Sequence, residues 1–105
     1  MKLLTKELEK ILPELYATEN IIADETIVQI KYFTPDSNWS WYITEYNKED
    51  KIFFGYVVGL ENEWGYISLT ELEETTGPLG LHIERDLQFK PTKFKDIKEL
   101  QNGSK

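Results

Sequence analysis

The sequence predicts an α+β fold, with a single antiparallel β-meander of four to five strands, an N-terminal helix, a short middle helix and a C-terminal helix. Leucine and isoleucine recur at helical spacing near the start of the chain, whereas the middle consists of short runs rich in aromatic and β-branched residues, separated by turn residues. The 105 residues and the hydrophobic fraction of 40% indicate one domain over 1–105 with its own core.

The first element is a helical segment over 1–16. Its apolar face is formed by Leu4, Leu8, Ile11, Leu12 and Leu15. Thr5 is the predicted N-cap of this helix. Pro13 predicts an end or a kink near Leu12, because proline lacks the N–H that a helix interior needs. Proline also suits a first helical position, so a further helical turn is expected over 13–16.

A β-meander is predicted over 26–69. Its four strands are expected at 26–34, 39–46, 51–59 and 64–69, joined by turns rich in Pro, Asp, Asn, Ser and Glu. Because successive side chains in a strand point to opposite faces, alternation along the second strand sorts its side chains into two sets. One set is Trp39, Trp41 and Ile43, and the other is Tyr42, Thr44 and Tyr46.

Three shorter elements complete the predicted fold. A short helix over 70–76 follows the meander, and either Ser68 or Thr70 suits its N-cap, since each is followed three residues later by a glutamate. A fifth strand is expected over 82–89, with Ile83, Leu87 and Phe89 as inward candidates. Thr92 is the predicted cap of a C-terminal helix over 92–101, which Asn102-Gly103 would end.

Composition excludes several classes of function. The chain has no cysteine, which excludes thiolate zinc sites and cysteine nucleophiles. Its single histidine excludes the usual multi-histidine zinc sites. Neither a metal nor a cofactor is expected. The sequence contains no apolar stretch near the ~20 residues of a membrane span, and its early charges argue against a signal peptide. A cytoplasmic location is therefore expected.

The net charge of −7 argues against direct binding to nucleic acid and favours a basic protein partner. Residues 45–74 hold eight acids and two lysines, a local charge of −6, whereas residues from 82 onward sum to +2. The candidate partner-binding residues are Glu61, Glu63, Glu71, Glu73 and Glu74, with Trp39, Trp41, Glu49 and Asp50 as secondary candidates. Carboxylates on rigid turns could imitate a row of DNA phosphates, and an ordinary solvated surface is the alternative.

Two other kinds of site are weighed against this one. Trp39, Trp41 and Tyr42, with the basic C-terminal helix, could stack nucleic-acid bases, although core packing is the more common role of such rings. His82, Glu84 and Asp86 would share one side of a strand and form a weak metal or acid/base cluster, which an ion-paired edge strand explains better. No phosphate-binding glycine motif or nucleophile elbow occurs, so a non-enzymatic protein is expected.

Three motifs resemble domain-of-unknown-function family 2958. They run from Phe33 to Tyr42 (FTPDSNWSWY), from Phe53 to Tyr66 (FFGYVVGLENEWGY) and from Ile83 to Leu87 (IERDL). Members of that family are often carried by plasmids, phages and integrative elements, so the resemblance implies that the cytoplasm is that of a bacterial host cell. His82 departs from the proline that the family pattern has between Leu81 and Ile83, which weakens a catalytic role for it.

Within that family the chain is similar to anti-CRISPR proteins of the type II-A class. This resemblance implies a non-enzymatic inhibitor of an RNA-guided DNA endonuclease, whose basic channels and PAM-reading arginines an acidic protein could occupy. It carries over no catalytic or binding residue. A nucleic-acid-handling accessory module of a plasmid or phage is the alternative function.

Overall fold

The computed structural model describes residues 2–102 and confirms the α+β fold class. A five-stranded antiparallel sheet has the strand order β5-β4-β3-β2-β6, and a separate two-stranded sheet pairs β1 with β7. The helices are α1 (Lys6–Ile11), α2 (Leu69–Glu74) and α3 (Lys98–Asn102). The strands are β1 (Ile27–Val28), β2 (Ile30–Phe33), β3 (Ser40–Asn47), β4 (Ile52–Val58), β5 (Asn62–Ser68), β6 (Glu84–Arg85) and β7 (Thr92–Lys93).

The first helix forms where the leucine spacing predicts it. The Thr5 side chain accepts a hydrogen bond from the Leu8 amide at 3.2 Å, which confirms the predicted N-cap. The helix ends at Ile11, and Leu12 is extended immediately before Pro13.

The predicted helical turn over 13–16 is wrong. Tyr16 has a φ of 71°, and the amides of Tyr16 and Thr18 donate to the Glu45 carboxylate. The Pro13 carbonyl accepts from the Tyr46 amide at 2.9 Å. This segment is therefore tied to β3 as a non-helical turn, because distant partners satisfy its backbone groups.

The β-meander is confirmed, and the first predicted strand is divided. Residues 30–33 form β2 beside β3, whereas Ile27 and Val28 form β1 and pair with Lys93 and Thr92 of β7. From β2 to β5 each strand pairs with the next along the chain, as the closely spaced turn residues predict.

A β-bulge in β3 changes the predicted division of its side chains. The register shifts between Ile43 and Glu45, so that Glu45 pairs with Phe54 and Tyr46 pairs with Phe53. The prediction that Tyr46 shares a face with Tyr42 is therefore wrong, because one extra residue reverses the alternation beyond it. Tyr46 packs in the same core cluster as Ile43.

The second helix is close to its predicted position. Ser68, the first of the two predicted caps, accepts from the Glu71 amide at 3.1 Å. The helix covers Leu69–Glu74 rather than 70–76, and Thr75 is already extended.

The strand predicted over 82–89 is reduced to Glu84 and Arg85. Ile83 is buried as predicted, but Leu87 is 69% exposed, so its assignment to the core is wrong. The strand ends because the Asp86 side chain accepts from the Gln88 amide at 2.9 Å, an arrangement that turns the chain.

The C-terminal helix predicted over 92–101 is also wrong in its first half. Thr92 and Lys93 form β7 with β1, and a 3-10 turn follows over Phe94–Asp96. Only Lys98–Asn102 is α-helical. Thr92, the predicted cap of the helix, is instead paired with Val28 of β1. Gly103 of the predicted stop Asn102-Gly103 lies outside the described residues.

Two hydrophobic clusters cover opposite faces of the large sheet. On one face, residues from the N-terminal segment, from α2 and from around β6 pack against the sheet, and they include Leu3, Leu72 and Ile83. On the other face, Ile97 packs with Tyr42, and Phe94 lies 4.9 Å from Tyr56 between ring centroids. The first and last parts of the described chain thus form separate layers over one central sheet.

No helix within residues 2–102 combines the length and the apolar character that crossing a membrane would require.

Candidate functional site

The acidic residues of the sequence prediction fall into two groups at opposite ends of the sheet. Glu71, Glu73 and Glu74 lie on α2, next to the β3–β4 turn that carries Glu49 and Asp50. We call these five residues the acidic end. All five are exposed.

Backbone hydrogen bonds hold the acidic end in a fixed arrangement. The Leu69 amide at the start of α2 donates to the Lys51 carbonyl of the β3–β4 turn at 3.0 Å. Within the turn, the Asp50 amide donates to the Asn47 side chain at 2.8 Å. The Ser68 cap fixes the first turn of α2. The carboxylates therefore stand on ordered backbone, although Lys48 and Lys51 lie in the same turn and reduce the local charge.

Glu61 and Glu63 lie at the other end of β5. Ser68 and Asn62 bound this strand, so the two groups are separated by six residue steps, roughly 20 Å at the usual rise of a strand. Glu63 pairs with Val57, which pairs with Trp41, so these three occupy one cross-strand row. The structure therefore brings Glu63 near the tryptophan pair and not near α2.

The tryptophan pair is a partly covered stack. The rings of Trp39 and Trp41 are 5.9 Å apart at an interplanar angle of 25°. Trp39 is 36% exposed, but Trp41 is buried, and Tyr42 is buried on the opposite face. Tyr42 donates to Glu99 at 3.0 Å, and Lys31 pairs with the same carboxylate at 2.7 Å. These rings do not form an exposed platform on which successive bases could stack.

The residues His82, Glu84 and Asp86 are not assembled into a metal site. His82 forms an isolated β-bridge with Thr76, and Asp86 caps the turn that ends β6. Among residues 2–102 no group of three or more His, Asp or Glu side chains is arranged to hold a metal ion.

Sequence reasoning missed a buried carboxylate and the cavity beside it. Glu45 is 4% exposed, so this member of the eight acids of residues 45–74 adds nothing to the acidic surface. Its Oε1 accepts from the Tyr16 amide at 2.9 Å, and its Oε2 accepts from the Thr18 amide at 2.9 Å and from the Thr18 hydroxyl. Glu45 also borders a cavity of about 330 Å³.

Aromatic rings of neighbouring strands form the wall of this cavity. Glu45, Phe54 and Tyr66 occupy one cross-strand row, and Trp64 stacks on Phe54 with centroids 5.9 Å apart and planes 12° from parallel. The Tyr66 hydroxyl donates to the Tyr16 hydroxyl at 3.3 Å. This hydrogen bond, followed by partial burial, raises the pKa of Tyr66.

The signal that could have found this site is weak in the sequence. An aromatic pattern over Phe54, Tyr56, Trp64 and Tyr66 predicts a face rich in rings. Only the bulge brings Glu45 to that face, and the bulge has no clear local signature.

The fold and these sites define a small α+β protein with an open five-stranded antiparallel sheet, covered on both faces by short helical and extended segments. Residues 3–96 match the family described as "Protein of unknown function (DUF2958)". The chain belongs to this family, as the three motifs predict. Comparison of the chain with the curated proteins and with the solved structures found no match.

Proposed function

We propose that this protein is a non-enzymatic inhibitor that binds a type II RNA-guided DNA endonuclease, with the acidic end as the contact surface. The observation that carries the proposal is the grouping of Glu49, Asp50, Glu71, Glu73 and Glu74 on ordered backbone at one end of the sheet. We infer the identity of the partner from the sequence motifs alone, through their resemblance to anti-CRISPR proteins of the type II-A class; the family match extends to the family and not to this class.

The chemistry of the two surfaces is complementary. Effector nucleases hold the guide–target heteroduplex in basic channels and read the PAM duplex with arginines. Exposed carboxylates at fixed positions attract such a surface over distances of about 8 Å at physiological salt, and they compete with nucleic-acid phosphates for it. Because the contacts are charged, we expect binding to weaken as salt concentration rises.

Two charge-reversed variants test this proposal. In one, Glu71→Lys and Glu74→Lys change the acidic end, and in the matched control, Glu61→Lys and Glu63→Lys change the far end of β5 by the same formal charge. All four positions are exposed, so both variants should remain folded, which circular dichroism checks.

The assay is cleavage of target DNA by a panel of purified type II-A nucleases loaded with guide RNA. We expect the wild-type protein and the far-end variant to inhibit, and the acidic-end variant to lose inhibition by tenfold or more. Equal inhibition by both variants would reject the acidic end as the contact surface. A wild-type protein that neither binds nor inhibits any nuclease of the panel would reject the proposed function.

A gel shift with single- and double-stranded oligonucleotides at low salt distinguishes the inhibitor from the competing function, a nucleic-acid-handling module. The burial of Trp41 and Tyr42 argues against it. Tight binding of an oligonucleotide would favour it over the inhibitor.

A further inference from the structure

The cavity beside Glu45 has the composition of a ligand site, and none of the residues that line it belongs to the acidic end. Its volume of about 330 Å³ is at the lower end of the range of small-molecule sites, roughly 300–1,000 Å³. Phe54, Trp64 and Tyr66 form one wall, and the turn around Tyr16 and Thr18 forms another.

Glu45 supplies the only acid that is buried in this wall among the described residues, and its three hydrogen bonds leave one acceptor position of Oε1 unused. Oε1 accepts a single hydrogen bond, whereas a carboxylate oxygen has two acceptor positions. No ion pair to Glu45 is found among residues 2–102. A buried carboxylate without a cationic partner costs free energy, so the site favours a positively charged ligand.

The aromatic wall favours the same kind of ligand. The faces of tryptophan, tyrosine and phenylalanine attract cations, and the attraction grows when water is excluded. Three aromatic or apolar side chains that line the cavity are largely exposed, with Tyr16 at 61%, Tyr66 at 59% and Ile21 at 47%. The exposed Glu19 also lines it and adds a second carboxylate. The three aromatic or apolar side chains would cover the alkyl portion of a ligand whose charged group reaches Glu45.

We propose that this cavity binds an organic cation, a guanidinium or alkylated ammonium group, held between the rings of Phe54, Trp64 and Tyr66 and the carboxylate of Glu45. A free small molecule or an arginine side chain of a protein could supply this group. The proposal does not depend on inhibition of a nuclease, because it uses a different surface of the protein.

Matched cations and neutral isosteres test the proposal on the full chain. The cations are choline and N-acetylarginine amide, and their neutral counterparts are 3,3-dimethylbutan-1-ol and N-acetylcitrulline amide. Titrations are followed by the backbone amide signals of Tyr16 and Thr18 in NMR spectra, because these amides donate to Glu45. We expect the cations to shift both signals and to bind at least tenfold more tightly than their neutral counterparts.

A further titration, with a peptide, distinguishes the two sources of the cation. A glycine-flanked arginine peptide that binds more tightly than N-acetylarginine amide would assign the site to a protein side chain. Equal or weaker binding of the peptide would assign it to a free small molecule. Either result supports a cation site.

Variants locate the binding. Glu45→Gln and Trp64→Leu should each weaken cation binding at least tenfold, whereas Trp39→Leu, outside the cavity, should leave it unchanged. Cations and neutral isosteres that bind equally would overturn the proposal in favour of a purely apolar site. Absence of any shift with either cation would also overturn it. The isostere comparison uses the wild-type protein, so it decides the question even if Glu45→Gln fails to fold.

Discussion

The two facing glycines of the central sheet should respond in opposite ways to a single added methyl group. Gly55 of β4 pairs with Ile43 on one side and with Gly65 of β5 on the other. A Cβ atom on Gly55 would overlap the Tyr42 carbonyl oxygen and lie 3.0 Å from its carbon and 3.1 Å from the Ile43 Cα. A Cβ atom on Gly65 would meet no atom of the described chain within 4 Å.

The neighbours of Gly55 determine the size of the effect. They are backbone atoms of β3 beside the bulge, so relief requires the whole strand to move. Overpacking of a core costs about 1–3 kcal/mol, and we expect Gly55→Ala to lie at the upper end, about 3 kcal/mol. At about 4–8 °C per kcal/mol for a domain of this size, the midpoint of thermal unfolding should fall by roughly 12–24 °C. Gly65→Ala should be neutral or stabilise by up to about 1 kcal/mol, because alanine restricts the unfolded chain.

Thermal and urea unfolding, each followed by circular dichroism and by tryptophan fluorescence, measure both variants against the wild type. The two probes should give coincident transitions. A Gly55→Ala midpoint equal to that of the wild type would refute the close approach of β4 to β3. An equal loss in Gly65→Ala would show that glycine is needed for backbone conformation and not for space.

Four further variants test contacts elsewhere in the fold. Tyr32→Phe removes a buried hydrogen bond of 2.7 Å to a backbone carbonyl and should lower the free energy of unfolding by about 1 kcal/mol. Burial raises the pKa of Tyr32 above its ordinary value of 10.0, so the stability of the wild type should fall as pH rises past 10.0. The fall should be less steep in Tyr32→Phe, and thermal melts across that pH range measure the difference. Asp36→Ala removes the acceptor of two amides in the loop over 77–81 and should cost about 2 kcal/mol, with faster hydrogen exchange in that loop. Ser68→Ala should cost about 1 kcal/mol in urea unfolding, and Thr70→Ala less than half of that.

Each of these predictions has a result that would contradict it. Identical pH dependence in Tyr32→Phe and the wild type would remove Tyr32 as a source of alkaline destabilisation. Unchanged exchange in the loop after Asp36→Ala would mean that other contacts hold the loop. A larger loss in Thr70→Ala than in Ser68→Ala would assign the cap of α2 to the wrong residue.

Elements with strong local signals were predictable from the sequence. Thr5 and Pro13 bound α1 through capping and the missing proline N–H, and short polar turns bound β3 and β4. In each case the residues that decide the structure are close neighbours in the chain.

Elements decided by distant partners were not predictable in this way. Thr92 suits a helix cap by its local sequence, but it pairs with Val28, more than sixty residues earlier. Glu45 counts as a surface acid until the bulge and the amides of Tyr16 and Thr18 are known. The two groups of predicted partner-binding acids adjoin in sequence, but β5 holds them apart.

The layer that covers the second face of the sheet has a consequence for biosynthesis. A chain leaves the ribosome N-terminus first, so β2–β5 and the N-terminal layer are available for pairing before Phe94 and Ile97 have been made. Until then Tyr56, Val58 and Trp64 have no cover from the C-terminal segment, and the nascent sheet exposes a ring-rich surface of the kind that chaperones bind and that promotes aggregation. Synthesis of the last dozen described residues therefore supplies the layer that covers this surface.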